Sequence, residues 1–253
     1  MSPLELASFS LLALLFCTLF GMLLATRLKE HHLSNSSLEI VKASRYVLIG
    51  LVALTLGLLI SSAKNSFEET AKELRTQASQ FVVLDNILEF YGSAGKTARS
   101  SLHKYLKDEI FRLDLASKKG ETDGLSLDLG NSSELLKIDI IKLDTNNETE
   151  QYLKKKAIDI GLNIITTRWK IYEDIDDESD SHLLLALIFW SCAIFFSLGL
   201  ISPKNLVTYS SLTFSIFCTS YAFFIIAELD SPYQGVMSVS AAPLQAALNR
   251  INN

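Results

Sequence analysis

Cysteine is scarce in this 253-residue chain: Cys17, Cys192 and Cys218 are the only three, and each falls in a long apolar run. The segment from 61 to 182 has none, which excludes a disulfide framework and a thiolate metal site there. Histidine is scarce as well. Between residues 64 and 181 only His103 occurs, inside a helical pattern. The neighbours His31 and His32 would point about 100° apart on a helix and do not readily serve one metal. No Gly-x-Ser-x-Gly, phosphate loop, zinc spacing or dinucleotide fingerprint occurs. Carboxylates are abundant, yet none stands isolated in an apolar stretch that would raise its pKa. The expectation is a chain that is not an enzyme and carries no cofactor and no metal.

Basic residues are missing from the N-terminus, where the first one is Arg27. A secretory signal begins with positive charge and ends in a small-residue cleavage site. The expectation here is an uncleaved first helix with its N-terminus outside. No basic excess exists to hold a nucleic acid. Residues 61–182 carry 17 Lys/Arg and 23 Asp/Glu (17 − 23 = −6), against a formal net charge of −5 for the chain. Negative charge is therefore concentrated in the middle segment.

What is present is apolar and clustered. Four runs carry no charge: Leu6–Thr26, Tyr46–Ala63, Leu183–Pro203 and Asn205–Ala227. About 20 apolar residues span a bilayer as a helix. The second run is short, but its helical pattern continues past the membrane to Tyr91, where Gly92 and Ser93-Ala94-Gly95 read as a stop and a turn. This predicts an all-α membrane protein, with four transmembrane helices and a helical aqueous domain between the second and third. The divisions are 1–63 for the first two spans and their basic connection, 64–182 for the aqueous domain, 183–227 for the last two spans, and 228–253 for a tail with a short helix. Short loops rich in Lys and Arg stay in the cytoplasm. Arg27, Lys29, Lys42 and Arg45 supply four to the first connection, and Lys204 one to the last. That puts the aqueous domain and both termini on the extracytoplasmic side of the cell's inner (plasma) membrane.

The long helix from Tyr46 to Tyr91 carries two stripes. Ala53, Gly57 and Ser61 repeat every four residues, a spacing that lets helix backbones approach closely in lipid. Thr55, Ser62, Asn65, Glu69 and Thr76 form a polar stripe, with Leu58 and Leu59 between the first two. Polar groups at membrane depth face protein or water, because lipid cannot satisfy them.

In the aqueous segment, Phe67, Leu74, Ala78, Phe81, Leu84 and Leu88 make an apolar stripe, and Leu102, Leu106, Ile110 and Leu113 a second one on a helix from Lys96 to about Leu115. The run Leu135–Leu143 fits a strand or a helical turn equally. A third amphipathic helix runs from Glu148 to about Tyr172. Past it lies an acidic cluster, Glu173, Asp174, Asp176, Asp177, Glu178 and Asp180, and Glu228 and Asp230 follow the fourth span. These eight are candidates for an acidic mouth. In the tail, Ser240 is placed to cap a short helix with Pro243 in its first turn.

The segment Leu54 to Phe67 resembles the second membrane helix of the bacterial bestrophin-like membrane proteins. Leu84-Asp85 with Tyr91-Gly92, Phe189-Trp190, Gly199, Pro203-Lys204-Asn205 and the tail Glu228 to Gly235 with Ser240 and Pro243-Leu244 are similar too. The resemblance covers nearly all of the chain except 118–147. It implies a homo-oligomeric ion channel, a pentamer first, whose second helix lines the pore. The partners implied are the lipid bilayer, further copies of the chain and inorganic ions. Carried over, Leu58 and Leu59 become an apolar neck, and Ser62, Asn65 and Glu69 the polar wall beyond it; Thr55, from the polar stripe, joins them as a pore-lining candidate. The basic and aromatic motif that follows the neck in bestrophin channels has no counterpart in Ser62–Glu69. A non-conducting scaffold or sensor, whose aqueous hairpin binds a partner, is the alternative.

Overall fold

The computed structural model describes residues 3–27, 35–119, 130–176, 179–203, 205–233 and 236–252. Among these, every regular element is a helix: α1 (Pro3–Arg27), α2 (Asn35–Phe90), α3 (Lys96–Lys119), α4 (Gly130–Ile141), α5 (Glu148–Asp176), α6 (Ser179–Ile201), α7 (Leu206–Leu229) and α8 (Ala242–Asn252). Four of them, α1, α2, α6 and α7, are long and apolar enough to cross a membrane. The chain divides into two compact units, 1–66 with 178–230 and 67–177 with 231–253. The single helix α2 contributes to both.

The first unit holds α1, the first part of α2, α6 and α7. Its tightest packing is α1 against α6, through two glycines. A Cβ on Gly21 would collide with the carbonyl oxygen of Phe196 and lie 3.1 Å from the Leu200 nitrogen. A Cβ on Gly199 would collide with the Thr18 carbonyl and lie 3.2 Å from the Met22 nitrogen. Small residues are what permit such an approach in lipid, where dispersion and close packing rather than water exclusion hold helices together. The Phe20 and Phe196 rings stack beside the crossing at 5.9 Å. By contrast, nothing lies within 4 Å of a Cβ built on Gly50 or Gly57. The Ala53/Gly57/Ser61 stripe is therefore not the tight helix seam of this unit; Gly21 and Gly199 are.

The second unit is a helical domain around one apolar core. Leu74, Ala78, Phe81, Leu84 and Leu88 of α2 are buried in it, with Leu102, Leu106 and Leu113 of α3 and Ala157, Ile160 and Ile164 of α5. The sequence stripes thus mark the core faces, with Ile110 packed at the margin and Phe67 half-buried outside the core cluster. Gly92 takes φ +56 at the end of α2, where glycine adopts the left-handed turn without strain. Leu135–Leu143, open between strand and helix on periodicity, is helical through Ile141 and buries Leu136 and Ile140. Helix α2 begins at Asn35, eleven residues before the expected start. Lys42 and Arg45 therefore ride on its first turns rather than in a loop. At the start of α5, Asn147 Oδ1 accepts from the Glu150 N–H at 2.8 Å, and the Glu150 carboxylate accepts from the Asn146 N–H at 2.7 Å. This reciprocal cap sets the first turn. The tail closes the same core: Tyr233, Leu244, Ala247 and Ile251 are buried. Ser240 Oγ accepts from the Ala242 N–H at 3.1 Å, as its position before α8 predicts.

Candidate functional site

Helix α2 presents one continuous exposed face through the first unit. Leu54 is 66% and Leu58 64% exposed. Ser62, Asn65 and Glu69 follow on the same face at steps of four, three and four, all exposed. Of the six residues expected to line a pore, four therefore share this face: Leu58, Ser62, Asn65 and Glu69. The other two lie elsewhere. Leu59 is 5% exposed and turns inward. Thr55 is half-buried, and its hydroxyl donates to the Leu51 carbonyl at 2.9 Å, which satisfies it within its own helix.

Six of the eight acidic candidates fall at helix ends. Glu173, Asp174 and Asp176 fall in the last turns of α5, and Asp180 in the first turn of α6. Asp177 and Glu178 lie outside the described residues, as do His31, His32, Lys29 and Lys204. Glu228, in the last turn of α7, is buried at 1%. Asp230 is exposed and caps α7, its N–H donating to the Ile226 carbonyl at 2.9 Å.

The second unit holds two polar constellations that sequence reading did not isolate. In one, the buried carboxylate of Asp85 on α2 receives Arg99 of α3 in a bidentate pair, Nε at 2.8 Å and Nη2 at 2.7 Å. His103 Nε2, one turn on, lies 3.2 Å from the same Asp85 carboxylate. Donating to the Asp85 carboxylate raises the Arg99 pKa further, so the guanidinium is charged throughout. Both α3 residues border an open groove of about 800 Å³ with Lys96, Lys107, Asp108 and Asn252. In the other, Tyr105, Glu109 and Arg112 follow each other along the buried face of α3. Arg112 Nη2 lies 3.6 Å from Glu109 Oε2. Burial pushes the Glu109 carboxyl up, and Arg112 and Arg168 oppose that shift only in part. Burial likewise lowers the Arg112 pKa. Glu109 is thus a carboxyl in an apolar setting, which no isolated acid in the sequence suggested. The signal available was its i,i+3 pairing with Arg112 between Tyr105 and Leu113.

Four membrane-competent helices with a helical domain inserted between the second and third in chain order make this a multi-pass membrane protein. A family model, the Bestrophin-like domain, matches residues 11–244, and the chain belongs to that family. The match runs from within α1 to the first turn of α8, so it takes in both units. No curated protein and no solved structure matches the chain.

Proposed function

We propose that the protein is a homo-oligomeric ion channel, a pentamer first, in which α2 helices gather around a central axis. The observation that carries this reading is the outer face of α2. There Leu54 and Leu58 give way to Ser62, Asn65 and Glu69 while the helix continues unbroken. A ring of leucines followed by a polar wall is a dewetting constriction opening into a hydrated vestibule. Leu58 alone is the neck candidate, since Leu59 packs inward within one copy. Glu69 would bias the vestibule toward cations. The function is transport, without catalysis. The Lys/Arg bias of the short connections supports an aqueous domain and termini outside the cytoplasm.

The test is ion flux through the purified protein in liposomes under a sodium gradient and then a chloride gradient. Leu58→Trp is expected to cut the flux at least tenfold and to leave the oligomer intact. Absence of wild-type flux under both gradients, together with a monomer or dimer in detergent, would overturn the channel. That outcome would favour a scaffold or sensor. The groove beside Arg99 and His103, formed within the aqueous domain and open to solvent, favours this second reading as the place where a partner would dock.

A further inference from the structure

Helix α3 of the second unit turns a row of bases toward solvent. Lys96, Arg99, Lys104 and Lys107 all line the open groove of about 800 Å³. Steps of three, four and four from Lys96 through Arg99 and His103 to Lys107 keep the row on one face, with Lys104 beside it. Ala98, Leu102, Tyr105 and Leu106 of the same helix are buried in the core. Two acids also border the groove, Glu89 and Asp108. Glu89 lies 3.7 Å from Arg99 Nη1. Residues 61–182 hold 23 acids against 17 bases, so counter-charge is plentiful in this part of the chain. Yet among the described residues no carboxylate is in ion-pair contact with Lys96, Lys104 or Lys107. Three exposed ammonium groups therefore stand along one groove without a partner.

We propose that this groove binds a linear anion of condensed phosphate groups. The Arg99 fork that would grip a planar carboxylate, Nε with Nη2, is already filled by Asp85. What remains is lysine, a compact point charge with three donors, which suits phosphate oxygens and lacks the fork that selects carboxylates. From Lys96 to Lys107 the helix rises about 16 Å at 1.5 Å per residue. A row of that length matches an extended anion better than a single orthophosphate. The groove volume lies within the usual range for small-ligand sites, about 300–1,000 Å³. Lys96 also opens α3, whose first turn carries no acid, so the helix dipole adds to the positive field there. This gives the chemistry of what docks in the groove under the scaffold or sensor reading. It does not need that reading, because binding is measured directly and flux is not a readout.

The experiment is equilibrium dialysis of the full chain in detergent against inorganic tripolyphosphate, without divalent cations and at physiological salt, where exposed charges are screened. Saturable binding of one tripolyphosphate per chain is expected. Orthophosphate, and citrate at matched ionic strength, should bind about tenfold more weakly or worse. Lys104→Gln combined with Lys107→Gln should weaken tripolyphosphate binding by about tenfold or more. Both side chains are exposed, so the fold should be kept. Lys155→Gln combined with Lys156→Gln removes the same charge from exposed positions on α5 outside the groove, and should leave binding unchanged. Absence of saturable binding would overturn the proposal. So would equal losses from the two lysine pairs, which would mark a response to net charge alone, or citrate binding as tightly as tripolyphosphate.

Discussion

Asp85 holds two partners on the next helix at once, Arg99 and His103. Its carboxylate is buried, while Arg99 and His103 keep part of their surface in water. Asp85→Asn leaves the guanidinium without its bidentate acceptor. A hydrogen bond to a charged group is worth about 1.5–3 kcal/mol, so a loss of about 2 kcal/mol is expected, read as a lower unfolding midpoint in denaturant. Glu109 gives a pH signature of opposite character. Its folded pKa lies above the unfolded value near 4.3 because burial disfavours the charged form. Above the unfolded pKa, the unfolded chain has released the proton and the folded one retains it. Stability therefore falls as pH rises from about 4.3 toward the folded pKa. Thermal unfolding in detergent from pH 4 to pH 8 should show this decline, and Glu109→Gln should flatten it. The Asp85 site was not readable from the chain. Asp85 meets Arg99 and His103 across a turn, and only tertiary packing brings together residues 14 and 18 positions apart. His103 sat in a helical pattern that offered no reason to look at Asp85.

At the scale of elements, absence of charge was enough to locate the four spans, because a bilayer imposes one length and one polarity on any helix that crosses it. The amphipathic stripes of α2, α3 and α5 were legible for the matching reason, since a single core face repeats at the helical period. Helix α4 was not: nine apolar-rich residues between polar flanks fit two periods equally. Nor was the seam between α1 and α6. The stripe on α2 has the more regular small-residue spacing, but which small residues touch depends on which helix lies opposite. This yields a paired prediction. Gly21→Leu forces a side chain into the Phe196 backbone and should destabilise the fold by about 1–3 kcal/mol, the usual range for overpacking, measured by SDS-induced unfolding. Gly57→Leu meets open space and should leave that unfolding unchanged. Under the channel reading, the same Gly57→Leu change should weaken the oligomer on a sizing column, because it adds bulk to an open face of α2 that a second copy would approach.

The whole molecule is two units joined by one helix and by two further passages of the chain. The second unit takes its core from both sides of the last two membrane helices: α2, α3, α4 and α5 come before them, α8 after. Leu244 is fully buried in that core. Leu244→Ala should cost about 2–5 kcal/mol, and hydrogen exchange should report it as faster exchange in α2 beyond Phe67, in α3 and in α5, with α1 and α6 unchanged. The position of α8 also fixes an order of events in the cell. Residues 242–252 are made only after α6 and α7 have been synthesised. Until then a core built from α2, α3, α4 and α5 lacks Leu244, Ala247 and Ile251, and their seat is unfilled. Its closure is therefore a late step, coupled to completion of the last two membrane crossings. A chain stalled before α8 would display that seat to whatever quality-control machinery reads exposed apolar surface.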